Sequence, residues 1–345
     1  MFVCERCGSA LTAPVSEVGL PLHARHAYGH AMMPPLMESG TYAVDPEPSG
    51  LPWRRWDVIA AEDAEARGVF APLHGLSFGP PGAVVVAPGD TRGTVLIPGR
   101  CAGYCMGLDG RDGPNLARAH CGREVATRID DCSYWQTVWF EPQAVRVLAV
   151  PGPEFAADDW ETLVRERAAT PPIEDAGRWS PLWEAEAGAA LAHLVAASEG
   201  ARVEVAEDLV AAPLGRAADA LLPQGPGRRV LGLRGPGLPA PARVPDIALV
   251  PRHPRTGEVR QPPETADVVP IAAGVWLHLA FPRERLPVPA TGGLPRGVLR
   301  DDPLPPHPWG ALRPDLHLFL HTPARLPAVR RPWLRELYDR VRAAG

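Results

Sequence analysis

The sequence predicts an α+β protein: a β-rich N-terminal domain over residues 1–150, a helix and linker over 151–180, and a mixed α/β domain over 181–345. Three observations predict it. All six cysteines lie between positions 4 and 132 of the 345 residues, so the two parts of the chain differ in kind. The 43 prolines, more than twice the usual share of about 5%, demand short elements and many turns. Helical periodicity is concentrated after position 155, where it alternates with short apolar runs. A chain of this length can bury two moderate cores.

In the N-terminal part, residues 83–86 and 94–97 flank Pro88-Gly89-Asp90 and read as a hairpin. Further strands are expected at 125–129 and 137–140. Residues 36–57 read as irregular, with Trp53 and Trp56 as packing anchors. A helix over 156–168 carries Asp158, Asp159 and Glu161 in its first turn, where the helix dipole favours acids. Thr170-Pro171-Pro172 ends it, and 169–180 follow as a linker. Ser180 then suits an N-cap and Pro181 the first helical position, and Gly200 follows the end. Ala187, Leu191, Leu194 and Val195 share one face of that helix. A second helix is expected over 207–222, made less regular by Pro213. Strands are expected at 229–233, 246–250, 275–281 and 316–320. An amphipathic helix over 332–343, with Trp333, Leu337 and Val341 on its apolar face, closes the chain.

Two stretches align with each other on a Cys-Gly pair: Cys4-Glu5-Arg6-Cys7-Gly8 and Arg118-Ala119-His120-Cys121-Gly122. The second has Arg118 where the first has Cys4. Two thiolates two residues apart, followed by glycine, are how a tight turn aims both sulfurs at one metal ion. The glycine tolerates the positive φ the turn needs. No apolar leader stands at the N-terminus and no run of about 20 apolar residues spans a bilayer, so a cytoplasmic protein with no membrane partner is expected. Thiols stay reduced in that compartment, which favours metal ligation over disulfides. The candidate ligands are Cys4, Cys7, Cys101, Cys105, Cys121 and Cys132, with zinc as the cofactor. In one arrangement Cys101, Cys105 and Cys121 share a site with Cys132 or His120, and Cys4 and Cys7 pair with imidazoles of His23-x2-His26-x3-His30. In the other, Cys4 and Cys7 join Cys121 and one further ligand. The quoted residues resemble zinc-ribbon and zinc-knuckle proteins. Thiolate-rich sites of that kind are mostly structural.

The chain has no lysine, so its 35 basic residues are all arginine, as expected of a high-GC bacterial genome. The formal charge of −5 argues against a nucleic-acid partner, including one that would use Arg6, Arg118 and Arg123 near the metal. Gly75-Leu76-Ser77-Phe78-Gly79 matches a nucleophile elbow by letters, but Pro80-Pro81 forbids the helix an elbow requires. Asp109-Gly110-Arg111-Asp112-Gly113 lacks the alternating ligands of a calcium loop and reads as turns. Trp53-Arg54-Arg55-Trp56 reads as packing rather than base stacking. If 275–281 and 316–320 are paired strands, His278, His317 and His321 line one face with Trp276 and Phe319. The expected function is therefore a zinc-stabilised, non-enzymatic module for protein–protein interaction or scaffolding. The alternative is a zinc-dependent enzyme with a three-ligand site or a His278/His317/His321 pocket.

Overall fold

A computed structural model describes residues 1–27, 32–105, 107–151, 159–166, 169–174, 178–206, 212–222, 228–263, 266–281 and 311–344. It is an α+β protein. The chain divides into two compact units. One comprises Met1–Ala157 with Pro254–Gly257 and Ala324–Pro327; the other comprises Asp158–His253, Glu258–Pro323 and Ala328–Gly345.

The first unit is built from short strands: β1 (Phe2–Cys4), β2 (Ser16–Glu17), β3 (Thr41–Asp45), β4 (Trp53–Arg55), β5 (Gly75–Ser77), β6 (Ala83–Val86), β7 (Thr94–Leu96), β8 (Leu116–Arg118), β9 (Glu124–Ile129), β10 (Thr137–Phe140) and β11 (Val145–Val147), with one short helix α1 (Ala61–Glu65). Seven of them form a sheet in the order β2-β3-β6-β10-β9-β8-β7, antiparallel except for the parallel β2–β3 edge. β1 pairs with β11, and β4 with β5.

Side chains alternate across a strand, so the main sheet has two distinct faces. Val84, Val86, Val138, Phe140 and Ala126 fall on one face and form the core with Phe2, Leu11 and Val145. Trp139 opposes Val85 and Thr127 in register, and these residues fall on the other face.

Two expectations for this unit are corrected. Residues 83–86 and 94–96 are strands but not a hairpin: β6 lies between β3 and β10, while β7 pairs only with β8 at the sheet edge. The Asp90 carboxylate explains why the connection turns away. It accepts hydrogen bonds from the Gly40 N–H (2.8 Å) and the Ser39 hydroxyl (3.1 Å), which ties the Pro88–Asp90 turn to the start of β3. Residues 36–57 are not irregular, since they hold β3 and β4, and Trp53 is 57% exposed rather than a buried anchor.

The second unit contains a four-stranded, wholly parallel sheet in sequential order: β12 (Arg202–Val205), β13 (Arg228–Leu233), β14 (Ile247–Arg252) and β15 (Asp267–Ala272). Its helices are α2 (Trp160–Glu166), α3 (Pro181–Ser198), α4 (Ala212–Leu221), α5 (Ala273–Ala280), α6 (Leu316–Ala324) and α7 (Pro332–Ala344). The N-terminal ends of the helices expected at 156–168 and 207–222 lie outside the described residues, as do 167–168. α3 is buried nearly all round, as its Ala-rich sequence and small residues require. Glu199 closes it in a left-handed conformation ahead of Gly200. β14 is buried over its first five residues, as expected of a parallel-sheet strand covered on both faces.

Residues 275–281 and 316–320 were expected to be strands and are helices. In α5, Val275, Trp276 and Leu277 are all buried, which period-two alternation cannot produce. A short apolar run looks the same in a buried helix as in a strand. In α6, adjacent Leu318 and Phe319 are both buried, and His317 and His321, one turn apart, stack at 6.3 Å. His278 instead sets its ring edge-on to Trp183 at 5.3 Å, and burial holds it below the usual imidazole range. The shared strand face proposed for these three histidines does not exist.

Glu186, buried in α3, brackets the sheet ends. It accepts from Arg252 at 2.7 Å and from the Ala272 N–H, just before α5, at 2.8 Å. Removing one partner of a buried pair strands the other, so Glu186→Ala should lower unfolding free energy by about 3 kcal/mol, read by denaturant titration. A loss below about 0.5 kcal/mol, the usual surface value, would refute the bracket. About two helical turns further along α3, burial and then nearby Arg252 lower the His193 pKa to about 4. The unfolded chain takes up that proton first as pH falls. Stability from this group is therefore complete above the unfolded value of about 6.5 and lost as pH falls toward 4, by roughly 2 kcal/mol allowing for partial exposure. A His193→Asn variant should show a flatter stability profile across that window.

Candidate metal centre

The N-terminal knuckle begins where β1 ends. Cys4 is the last residue of that strand, and the chain turns through Glu5, Arg6 and Cys7 to Gly8. The Gly8 N–H donates to the Cys4 carbonyl at 2.8 Å, and the Cys4 N–H donates to the Ser9 carbonyl at 2.9 Å. The second knuckle is the turn between β8 and β9. Arg118 is the last residue of β8; the Gly122 N–H donates to its carbonyl at 2.8 Å, and its own N–H donates to Arg123 at 2.7 Å. Gly8 has φ +68° and Gly122 φ +69°. The two turns are thus the same structure made twice, and each needs glycine where a Cβ would be strained.

The fold brings the two turns together at the edge of the core. Cys4, Cys7 and Cys121 present their sulfurs within 4.8 Å of one another, and no other such group of three ligand-type side chains occurs among the described residues. Cys4 Sγ and Cys121 Sγ are 3.8 Å apart. That is no disulfide, whose sulfurs lie about 2.05 Å apart. It equals the sulfur–sulfur edge that a tetrahedral thiolate site would have: bonds of about 2.3 Å at the tetrahedral angle place sulfurs about 3.8 Å apart. Cys4 is fully buried, while Cys7 and Cys121 pack against the core with partial exposure. Arg118, at the position matching Cys4, leaves the site and donates through Nη1 to the Gly93 carbonyl.

The three thiols are not electrostatically equal. The backbone N–H of Ser9, followed by its hydroxyl, hydrogen-bonds the Cys7 sulfur and lowers its pKa to about 6. At Cys121 the Arg123 N–H pulls the same way, but desolvation and the hydrogen bonds with Cys7 and Cys4 outweigh it and raise the pKa. A thiolate at Cys7 with hydrogen-bonded neighbours is a soft, preformed donor set suited to zinc and other thiophilic ions.

The remaining predicted ligands lie elsewhere. Cys101 is exposed and donates through its thiol to the Ile97 carbonyl at 3.3 Å. Cys105 and buried Cys132 form a separate pair. The Asp131 carboxylate holds both backbones, accepting from the N–H groups of Tyr104 (2.7 Å), Cys105 (3.2 Å) and Cys132 (2.8 Å). The hydrogen bond with Cys132, then burial, then the negative neighbours Cys132 and Asp131, raise the Cys105 pKa. Of the two ligand arrangements, the structure assembles the core of the second, Cys4 and Cys7 with Cys121. His120 is exposed and outside the group. His23 packs its ring on Trp135 at 4.6 Å, His26 is buried, and His30 lies outside the described residues.

Ser77, the centre of the apparent nucleophile elbow, belongs to β5. It donates to the Gly50 carbonyl at 2.7 Å and accepts from the Gly79 N–H at 3.0 Å, a loop fastener with no helix after it. No helix among the described residues is long and apolar enough to cross a membrane. Comparison with known protein families, curated proteins and solved structures finds no match.

In reduced, metal-free protein, iodoacetamide should modify Cys7 with a half-maximal rate near pH 6, and Cys121 only at alkaline pH. Peptide mass spectrometry reads both. Ser9→Ala should move the Cys7 midpoint upward. Cys7 and Cys121 titrating together at the ordinary thiol value would refute this.

Proposed function

We propose that Cys4, Cys7 and Cys121 hold zinc as a structural clasp, and that the protein is a non-enzymatic interaction or scaffold module. The observation that carries this reading is the paired knuckle geometry: two turns identical in backbone aim three sulfurs at one point, with a separation that matches tetrahedral thiolate coordination. Zinc suits an all-sulfur donor set because it neither changes oxidation state nor imposes a geometry on its ligands. Catalytic zinc sites rely on a water activated beside a general base. Three sulfurs leave a fourth position on the ion, but the group of close ligands contains no carboxylate and no imidazole among the described residues to act as a base beside it, which supports a structural role over the three-ligand enzyme alternative.

The clasp has a mechanical purpose. β1 and β11 pair over only three residues each, from Phe2↔Val147 to Cys4↔Val145. Isolated two-stranded ladders of this size are marginal in water. A metal bridging Cys4 and Cys7 to Cys121 joins that ladder to the β8–β9 turn of the main sheet.

Elemental analysis of freshly purified, reduced protein should give about one zinc per chain, as a single three-thiolate site requires. Removing it with a chelator, or replacing Cys7 by Ala, should abolish the near-ultraviolet circular dichroism of the first unit and lower its melting temperature. Zinc below about half an equivalent, or a metal-free protein with unchanged spectrum and melting temperature, would overturn the reading.

A further inference from the structure

A cavity of about 250 Å³ opens on the face of the main sheet opposite the core and the thiol cluster. Its floor comes from strand alternation: Trp139 on β10 and Thr127 and Ile129 on β9 project to this side because their neighbours Phe140 and Ala126 project to the core. Its rim carries Trp53 of β4, a large aromatic side chain left 57% exposed. An exposed tryptophan beside a concave surface calls for an occupant.

The charges lining the cavity identify the occupant's chemistry. Arg25 lines it but is already neutralised, 2.7 Å from Asp45 and 3.3 Å from Glu47. Arg111 is bound by Asp109 and lies over the Tyr104 ring at 4.0 Å. Each of these cations is matched by an acid that needs no ligand. Glu141 is different. It lines the same cavity, it is half-buried, and its carboxylate makes no hydrogen bond or ion pair with any described residue. Burial pushes its pKa above the usual carboxylate range, so its ionised form is held at a cost that a ligand cation would relieve. Two indole rings and one uncompensated carboxylate around a small cavity form a receptor for positive charge: the rings attract a cation over their faces, and the carboxylate accepts its N–H donors.

We propose that this cavity binds a small protonated amine with an apolar body, the ammonium group donating to Glu141 and the body lying against Trp53, Trp139 and Ile129. The cavity is at the small end of ligand sites, which suits a compact amine rather than a nucleotide or a large cofactor. The site lies on the face away from Cys4, Cys7 and Cys121 and is independent of the metal reading.

The test is calorimetric titration of the full chain with 2-phenylethylamine and its uncharged counterpart 2-phenylethanol. The amine should bind with a Kd on the order of 1 mM, and the alcohol about tenfold more weakly or worse. Glu141→Gln keeps the shape of the side chain and should abolish the preference for the amine without changing the melting temperature. Trp53→Ala, at a position 57% exposed, should weaken both probes about tenfold, with circular dichroism confirming that the variant is folded. Equal binding of amine and alcohol would overturn the proposal. So would no heat from the amine up to about 10 mM, or a Glu141→Gln protein that still prefers it.

Discussion

The N-terminal unit depends on one backbone constraint: a strand that ends in a four-residue turn closed by a glycine N–H on the strand's last carbonyl. The turn occurs after β1 and again after β8, with φ at Gly8 and Gly122 differing by one degree. Everything at the cysteine cluster follows from it. The turn fixes where Cys7 and Cys121 point, and Ser9 is placed by the same turn to stabilise negative charge on Cys7. The core supplies the rest, since Phe2 and Cys4 on one side and Leu116 and Val125 on the other enter a single apolar cluster. Hydrophobic burial brings the two turns near each other, and the turn geometry converts proximity into alignment of sulfur atoms.

The second unit is organised by a different logic. A parallel sheet cannot return by tight hairpins, so its strands are joined by longer excursions and its faces are covered by helices. Covering both faces buries polar groups at strand ends, and Glu186 answers two of them at once. It sits inside α3, a helix made mostly of small and apolar residues, where it is the one carboxylate that is buried.

How much of this was legible in the sequence depended on how local the cause was. The knuckles could be read directly because a turn is specified by residues adjacent in the chain, and the Cys4–Cys7 and Cys121 copies aligned on glycine. The α3 boundaries were legible for the same reason: Ser180, Pro181 and Gly200 are local punctuation. Partnership was not legible. Cys101, Cys105 and Cys132 have ligand chemistry, but the loop carrying Cys101 and Cys105 fastens to Asp131 instead of reaching Cys121. The helices α5 and α6 were misread because a run such as Val275-Trp276-Leu277 satisfies any period when every side of the element is buried. The cavity was invisible in the sequence. Trp139 and Glu141 share one side by simple alternation, but Trp53 joins them only through the packing of distant segments, and no spacing rule links it to positions so far away.

Arg118 carries a consequence for how the chain assembles. The second knuckle forms its turn with a single sulfur, so its hydrogen bonds and glycine suffice to shape it without a metal. It closes between β8 and β9, adjacent strands of a local hairpin, and belongs to the fast, low-contact-order part of folding. The first knuckle meets it across 117 residues, a separation whose loop-closure entropy exceeds that of the local hairpin. β1 pairs only with β11, outside the main sheet, so the ready-made turn at Cys121 is the fixed post beside which its last residue, Cys4, is set.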